Sequence, residues 1–281
     1  MKIHIDHLLK IGKTHKICED YIISGYDPVP YIILSDGCSS SKDTDIGARI
    51  LCHVAKQYLD YHKDSIQSID EVKMGKYIIF KADTLMIQLG LMNISSLDAT
   101  LTIAYYHNGS IKIIMYGDGN IVNIYKNDIT IKTIEYSKST PYYLSYELDR
   151  KRKQTYHDNK IIKTVDKYYI YNPYGEGCTQ SLVTGIMDYE KPYISSHTIE
   201  PDKDQTILIF SDGISTFFNK EQQEFLPIKD LIQDFSSFKT LKGEFLQRRL
   251  LSKKGAITKL EQQGYEHLDD LSIGAFVIGG D

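Results

Sequence analysis

The sequence predicts an α+β fold, a layered sandwich of sheets and helices, from three observations. Short β-branched segments and segments of helical period form separate runs along the 281 residues, whereas a doubly wound parallel sheet would alternate them strictly. Neither a repeat of fixed period nor a Gly/Ser- or Pro-rich linker interrupts the chain. Hydrophobic residues make up 42% and charged residues 25%, which is typical of a globular protein with a full core. We therefore expect one domain over residues 1–281.

The first third of the chain predicts two strands followed by two helices. Tyr21–Ser24 and Tyr31–Leu34 are short apolar segments joined by a turn-rich stretch, so they predict a strand pair. Apolar residues at helical spacing then extend from Thr44 to about Tyr61 and from Ile69 to about Leu91.

The middle of the chain predicts an antiparallel meander followed by loops. Its four strands would be Thr100–Tyr106, Ile111–Tyr116, Asn120–Tyr125 and Ile129–Glu135, with turn residues between them. The polar, Tyr-rich stretch from about 137 to 204 predicts loops with one or two strands, one of them around 160–171.

The C-terminal part predicts a strand, a helical region and a last strand. Thr206–Phe210 is an apolar β run, residues from Ile228 to about Gly264 are mostly helical in pattern, and Leu271–Ile278 is the final strand.

Composition excludes several classes of protein. The net charge of -4 gives no basic surface of the kind that binds nucleic acid. Charges interleave the N-terminal apolar residues as they do not in a secretory signal, and no segment approaches the roughly 20 apolar residues of a membrane span. The four cysteines show no zinc-finger or disulfide-framework spacing. We expect a cytoplasmic protein with neither a nucleic-acid nor a membrane partner.

Acidic residues stand at the ends of the predicted strands. They are Glu19-Asp20, Asp36, Asp212 and Asp269-Asp270. A single Asp-Gly pair is most often a turn, so the prediction depends on this repeated position. Strand ends can meet at one edge of a sandwich, and Mg²⁺ and Mn²⁺ prefer oxygen ligands. Two such ions polarise a phosphoryl group and acidify a bridging water. The residues therefore predict a two-metal site for phosphoester hydrolysis.

Six segments in order resemble the motifs of the metal-dependent protein phosphatases of the 2C type, bacterial branch. They are Cys18-Glu19-Asp20, Leu34-Ser35-Asp36-Gly37, Ala99-Thr100-Leu101-Thr102, Tyr116-Gly117-Asp118-Gly119, Phe210-Ser211-Asp212-Gly213 and Asp269-Asp270-Leu271-Ser272. The resemblance extends over about residues 12–278. It implies a four-layer α-β-β-α sandwich, two antiparallel sheets flanked by helices, with a flap-like segment within about 137–204.

The resemblance also implies two divalent ions, Mn²⁺ or Mg²⁺, and a weakly held third. Asp36 would bridge the two ions, and the Gly37 carbonyl would complete the first site. Asp212 and Asp269 would hold the second ion, while Asp118 falls where the family places a ligand of the third.

Glu19, Asp36 and His15 would be the catalytic residues, with Glu19 acting through a metal-bound water. His15 stands where the family usually has an arginine that clamps the phosphate in two places, so His15 and Lys16 are the candidate substrate-binding residues. Cys38 follows Asp-Gly where some members have a general-acid histidine, so either a metal-bound water or His15 would have to protonate the leaving group.

The function implied is a metal-dependent serine/threonine phosphoprotein phosphatase, which hydrolyses phosphomonoesters by attack of a water or hydroxide bridging two metals. Its partners would be a phosphoserine or phosphothreonine protein and a cognate kinase. Two alternatives stay open. The missing arginine is also compatible with a catalytically weak, phosphatase-like binding or regulatory module. A two-metal phosphodiesterase is disfavoured because the composition shows no basic groove.

Overall fold

Two large antiparallel sheets face each other in the computed structural model, which describes residues 2–126, 128–170 and 193–279. With strands numbered in chain order, sheet A runs in space as β1 (Ile3–Lys10), β14 (Leu271–Ile278), β10 (Gln205–Phe210), β6 (Gly119–Tyr125), β7 (Asp128–Tyr136) and β8 (Lys163–Ile170). Sheet B runs as β2 (Tyr21–Gly25), β3 (Tyr31–Ser35), β4 (Leu101–His107), β5 (Ser110–Tyr116) and β9 (Ile194–Ile199). A small third sheet contains β12 (Glu224–Phe225), β11 (Phe217–Asn219) and β13 (Tyr265–His267).

Helices cover the outer faces of both large sheets. Sheet B carries α1 (Thr44–Tyr61) and α2 (Glu71–Gln88), and sheet A carries α4 (Ile228–Ser236), α5 (Phe245–Leu251) and α6 (Ala256–Gln262). A third apolar cluster fills the space between the sheets. The predicted α+β fold, a four-layer α-β-β-α sandwich, is therefore confirmed. None of the helices within the described ranges is long and apolar enough to cross a bilayer.

The burial of the central strand follows from this layering. All eight residues of β14 are buried, because sheet B covers one of its faces and the helices on sheet A cover the other. Such a strand shows a continuous apolar run rather than alternation. Next to the edge strand β8 of the same sheet, β7 buries only Ile131, Ile134 and Tyr136.

Several elements have the predicted bounds. The first helix, Thr44–Tyr61, and the last strand, Leu271–Ile278, agree residue for residue, and the β2–β3 pair is antiparallel as expected. The continuous meander is wrong, because β4 and β5 pair in sheet B whereas β6 and β7 pair in sheet A. The chain crosses between the sheets at Gly117-Asp118, so alternation alone could not assign these strands to sheets.

The region predicted as loops contains regular structure where it is described. Arg150–Asp158 forms α3, whose first turn is capped by the Asp149 carboxylate through the backbone N–H groups of Lys151 (2.8 Å) and Arg152 (3.1 Å). Part of the flap-like segment predicted within 137–204, residues 171–192, lies outside the described residues. The N-terminal strand β1 was not predicted, since its charged residues obscure the pattern.

Candidate active site

Both large sheets end at the same side of the sandwich, with the acidic segments beside them. The start of β2 pairs with the end of β3 through Tyr21 and Ser35, next to Asp20 and Asp36. In sheet A the end of β10 and the start of β14 lie side by side, with Phe210 opposite Ile273. Segments that are far apart in sequence thus share one edge of the fold.

Two glycines allow these segments to approach closely. A Cβ atom at Gly213 would stand 1.8 Å from the carbonyl oxygen of Asp270, and one at Gly37 would stand 2.8 Å from the carbonyl oxygen of Glu19. No other residue avoids these clashes without backbone movement. The glycines after Asp36 and Asp212 therefore serve the packing of one acidic motif against another.

The acidic side chains form a cluster in which Asp20 is buried, Asp36 and Asp118 are half-buried and Asp212 reaches the surface. Burial raises the pKa of Asp36 well above its usual range, and the charges of Asp20, Asp212 and Asp118 add to the shift. Asp36 and Asp212 hydrogen-bond each other, and burial followed by the charge of Asp269 raises the pKa of Asp212. Burial and the charge of Asp212 raise the pKa of Asp118 to about 7. Like charges in a low dielectric raise one another's pKa until protons or cations neutralise them.

Asp20 is the most deeply buried carboxylate of the cluster, with 1% of its surface exposed. Neither of its side-chain oxygens has a hydrogen-bond partner among the described residues. Burial raises its pKa to about 7, although the nearby hydroxyls of Ser211 and Ser272 act in the opposite direction. A buried, unpartnered carboxylate is costly unless it is protonated or close to a cation.

These properties fit divalent cations of the oxygen-preferring kind. The cluster offers only carboxylate and carbonyl oxygens, which are the ligands of Mg²⁺ and Mn²⁺. Within residues 2–126, 128–170 and 193–279, however, no three His, Cys, Asp or Glu side chains stand in the arrangement of a ready-made metal site. Asp36 and Asp212 interact with each other instead, and their mutual repulsion would be relieved by a cation.

His15 is held by acidic residues on both sides of its ring. Its Nδ1 lies 2.9 Å from Oδ2 of Asp270, and its Nε2 lies 3.3 Å from Oδ1 of Asp269. Burial lowers the pKa of His15, but the hydrogen bond and charge of Asp270 outweigh that effect and the net pKa is raised. The imidazole is therefore committed to carboxylates in this structure, and Lys16 lies exposed beside it.

Asp270 organises the loop that carries His15. Its carboxylate accepts hydrogen bonds from the backbone N–H groups of Gly12 (2.7 Å) and Glu19 (2.6 Å) and lies 2.9 Å from the His15 ring. Asp269, its neighbour, is 42% exposed and faces the site. Its backbone N–H donates to the Thr216 hydroxyl (3.1 Å). The two adjacent aspartates thus face different surroundings.

Helix α3 is tied to the loop after Asp36-Gly37 through Asp98. Arg152 donates from Nη2 to both Asp98 carboxylate oxygens, at 2.9 and 2.7 Å. The same carboxylate accepts from Ser41 (3.0 Å) and Ser145 (2.5 Å), and the Asp98 carbonyl accepts from the Cys38 N–H (2.8 Å). This network fixes the loop beside the acidic cluster, because every acceptor of Asp98 is used.

A cavity of about 200 Å³ opens beside the cluster and is lined by Asp118, Asp212, Ser215, Glu135 and Tyr136, among others. The Glu19 carboxylate accepts a hydrogen bond from the Thr44 hydroxyl (3.3 Å), and burial raises its pKa. The arrangement offers concentrated negative charge with room next to it, which suits an anionic substrate only when cations are bound.

Comparison with protein families decides the relationship. The model of the family described as protein phosphatase 2C matches residues 12–252, most of the chain. The chain belongs to the protein phosphatase 2C family. This match confirms the resemblance read from the motifs. At the level of the family it also confirms the prediction of a phosphoprotein phosphatase, which is a phosphoric monoester hydrolase.

Solved structures agree with the family assignment at the level of the fold. The Mycobacterium tuberculosis serine/threonine phosphatase PstP matches with a TM-score of 0.53 and 11% identity over 99% of each chain. A structure of the PstP catalytic domain with two manganese ions matches with a TM-score of 0.55 and 12% identity, again over 99% of each chain. The Streptococcus agalactiae (S. agalactiae) serine/threonine phosphatase gives a TM-score of 0.55 and 15% identity over 99% of this chain and 100% of its own. A search among curated proteins finds no significant match.

The structure assigns importance to two residues of this protein phosphatase 2C member that sequence reasoning left without a role. Asp20 contributes a buried charge to the cluster, and Asp270 holds the loop of His15. Both stand next to residues that were singled out, Glu19 and Asp269. Adjacency was the available signal, but it does not reveal which carboxylate of each pair points inward.

Proposed function

We propose that this chain is a serine/threonine phosphoprotein phosphatase that works with two divalent ions, Mn²⁺ or Mg²⁺. The observation that supports the proposal most strongly is the cluster of Asp20, Asp36, Asp118 and Asp212, whose pKa values are all raised by desolvation and mutual repulsion. Strongly perturbed carboxyls in a cleft are typical of functional sites. The neighbouring PstP catalytic domain was solved with two manganese ions, which supports the same kind of centre here.

Different residues of the chain would bind the ions and position the water. Asp36, Asp212 and Asp269, with the Gly37 carbonyl, would hold the two ions, and Asp118 would hold a weaker third. When bound, the ions supply Lewis acidity toward the phosphoryl group and make water acidic enough to attack at neutral pH. Glu19, whose pKa is raised by burial, would act through a water bound to the ions.

His15 has two proposed roles, one in the chain without substrate and one when a phosphorylated substrate is bound. In the structure it positions Asp269 and Asp270. As a binding residue it would have to turn one nitrogen from Asp269 toward a phosphoryl oxygen, which gives one hydrogen bond where an arginine gives two. Lys16, exposed in the same loop, would add attraction without fixed geometry. We therefore expect weak substrate binding, with a high KM.

The engagement of His15 also supports a second candidate, a catalytically weak module that keeps the fold and binds a phosphoprotein. Both ring nitrogens face carboxylates, so the structure holds them away from a substrate. This candidate predicts tight binding of a phosphopeptide with no turnover at any concentration of Mn²⁺.

Hydrolysis of a phosphothreonine peptide, measured as phosphate release against Mn²⁺ concentration, tests the proposal. We expect saturable activation by Mn²⁺ and a loss of about 100-fold or more in kcat/KM for Asp36→Asn and for Asp212→Asn, since ligands of a metal centre are rarely dispensable.

Asp43→Asn is the matched control, because Asp43 is exposed and its φ of 58° suits asparagine. It should keep full activity. Equal activity of Asp36→Asn and Asp43→Asn, or activity that persists in a chelator, would contradict the metal-dependent proposal.

A further inference from the structure

A basic cluster lies between the outer edges of the two large sheets. β8 is an edge strand of sheet A, and β9 is an edge strand of sheet B. Lys132 of β7 and Lys167 of β8 are paired across the sheet, so their side chains share one face. Directly opposed like charges destabilise a sheet unless something neutralises them.

Sheet B contributes two polar side chains to the same place. The Lys132 ammonium lies 2.9 Å from Nδ1 of His197 on β9. Ser195, two residues earlier on β9, points to the same side and is 6% exposed. The Ser195 hydroxyl and Nε2 of His197 are both buried, and neither has a hydrogen-bond partner in the described part of the chain.

The cluster has donors in excess of acceptors. An ammonium group can only donate, so Nδ1 of His197 accepts from Lys132 and the ring proton resides on Nε2. That N–H group is a buried donor with no acceptor. Burial and the charges of Lys132, Lys163 and Lys167 lower the pKa of His197 to about 3, so the ring stays neutral.

Neighbouring carboxylates do not account for this charge. No Asp or Glu among the described residues forms an ion pair with Lys132 or Lys167. Lys112, on the opposite face of sheet B, is by contrast paired with Glu71 at 2.9 Å. The Lys163 ammonium donates to the Ile194 carbonyl (2.8 Å), which joins the two sheet edges at the same place.

We propose that this cluster is a binding site for a small oxyanion of the phosphate or sulfate class. Ser195 and Nε2 of His197 donate to the anion, and Lys132 and Lys167 supply positive charge. One anion gives both unpartnered donors an acceptor and neutralises the opposed lysines. Because the donors belong to sheet B and the lysines to sheet A, the bound anion holds the two sheets together at this place.

Thermal unfolding and calorimetric titration with inorganic phosphate, in the presence of a chelator, test the proposal. Removal of divalent ions separates this site from the proposed metal centre, so the two can fail independently. Ionic strength is kept constant with chloride. We expect a saturable rise in Tm of the unmodified chain with phosphate and with sulfate.

Three variants decide whether the named residues bind the anion. Lys132→Met and Ser195→Ala should each weaken phosphate binding by at least about tenfold, since the first removes a nearby positive charge and the second a buried hydrogen-bond donor. Lys112→Met, the matched control with a partnered lysine, should bind phosphate as the unmodified chain does. A Tm that does not respond to phosphate, or identical affinity in all three variants, would overturn the proposal.

Discussion

Two adjacent aspartates show how one step along a strand end changes the role of a side chain. Asp269 is 42% exposed and faces the acidic cluster, whereas Asp270 is 2% exposed and accepts from two backbone N–H groups and lies 2.9 Å from the His15 ring. The Asp269 carboxylate is available to bind a metal ion, as proposed, whereas the Asp270 carboxylate holds the loop in place. Residue type alone does not separate the two; the family resemblance pointed to Asp269, and the burial of Asp270 adds a structural role that the sequence did not predict.

We expect Asp270→Ala to destabilise the fold far more than Asp269→Ala. The first change leaves the N–H groups of Gly12 and Glu19 without their acceptor and removes the partner of His15, at a cost of about 2–4 kcal/mol. The second change removes a largely exposed group and should cost less than about 1 kcal/mol. Urea unfolding in the absence of metal measures both.

For Mn²⁺-dependent hydrolysis, Asp269→Ala matters most. We expect this variant to fold normally but to lose that activity. If both variants unfold at the same urea concentration, the distinction between a structural and a metal-binding aspartate is incorrect.

His15 offers a second test at the scale of the residue. We expect His15→Arg to lower KM for a phosphothreonine peptide by about tenfold, because a guanidinium can donate twice to the phosphate and each charge-assisted bond contributes on the order of 1–3 kcal/mol. Lys16→Arg, in the same loop, is the control and should change KM little. An unchanged KM in His15→Arg would show that position 15 acts through Asp269 and Asp270 alone.

At the scale of the element, the Arg152–Asp98 ion pair ties α3 to the loop beside the acidic cluster. Arg152 donates to both oxygens of Asp98 and stacks over the Tyr146 ring, with the guanidinium carbon 4.8 Å from the ring centroid. Asp98 is 6% exposed and Arg152 is 29% exposed, so the pair is only partly screened by water. The loop after Asp36-Gly37 shares this anchor through Ser41.

Loss of the anchor should free the helix. We expect Arg152→Met to destabilise the chain by about 2 kcal/mol, a value reduced for the partial exposure of the arginine, and to speed amide hydrogen exchange over 150–158. Lys151→Met, one residue earlier and exposed, is the matched control. Slow exchange in both variants would mean that other contacts hold α3.

An element was predicted correctly from the sequence when its buried residues form a clear apolar pattern. α1 was predicted with its observed bounds because one face carries the apolar residues, and β14 because all its residues are apolar and buried. β1 and α3 were missed, since charges interrupt the first and four basic residues open the second. The assignment of β4–β7 to sheets failed because alternation specifies a strand and its faces, and tertiary packing selects the sheet.

At the scale of the whole molecule, the acidic cluster makes stability depend on pH. Burial raises the pKa of Asp20 and of Asp118 to about 7 and that of Asp36 in the same direction. The folded chain therefore holds these protons more tightly than the unfolded chain does. Stability without metal is then lost as pH rises from about 4, the unfolded carboxyl value, through about 7.

We expect the free energy of unfolding in a chelator to fall between pH 5 and pH 8, and Mn²⁺ to reverse the fall. Asp20→Asn removes the most buried of these charges and should stabilise the metal-free chain at pH 8 by on the order of 2 kcal/mol, with little effect at pH 5. Urea unfolding at both pH values provides the comparison. Stability that rises over this range would mean that the cluster is not held protonated.

The convergence of distant strand ends on one acidic centre is the claim on which the proposed function depends. A crystal grown with Mn²⁺, with the ions located by their anomalous scattering, measures it most directly. We expect two strong peaks about 4 Å apart, both in contact with Asp36, with Asp212 and Asp269 on one of them. Peaks elsewhere, or a carboxylate cluster that stays closed on itself with no manganese at saturating concentration, would contradict it.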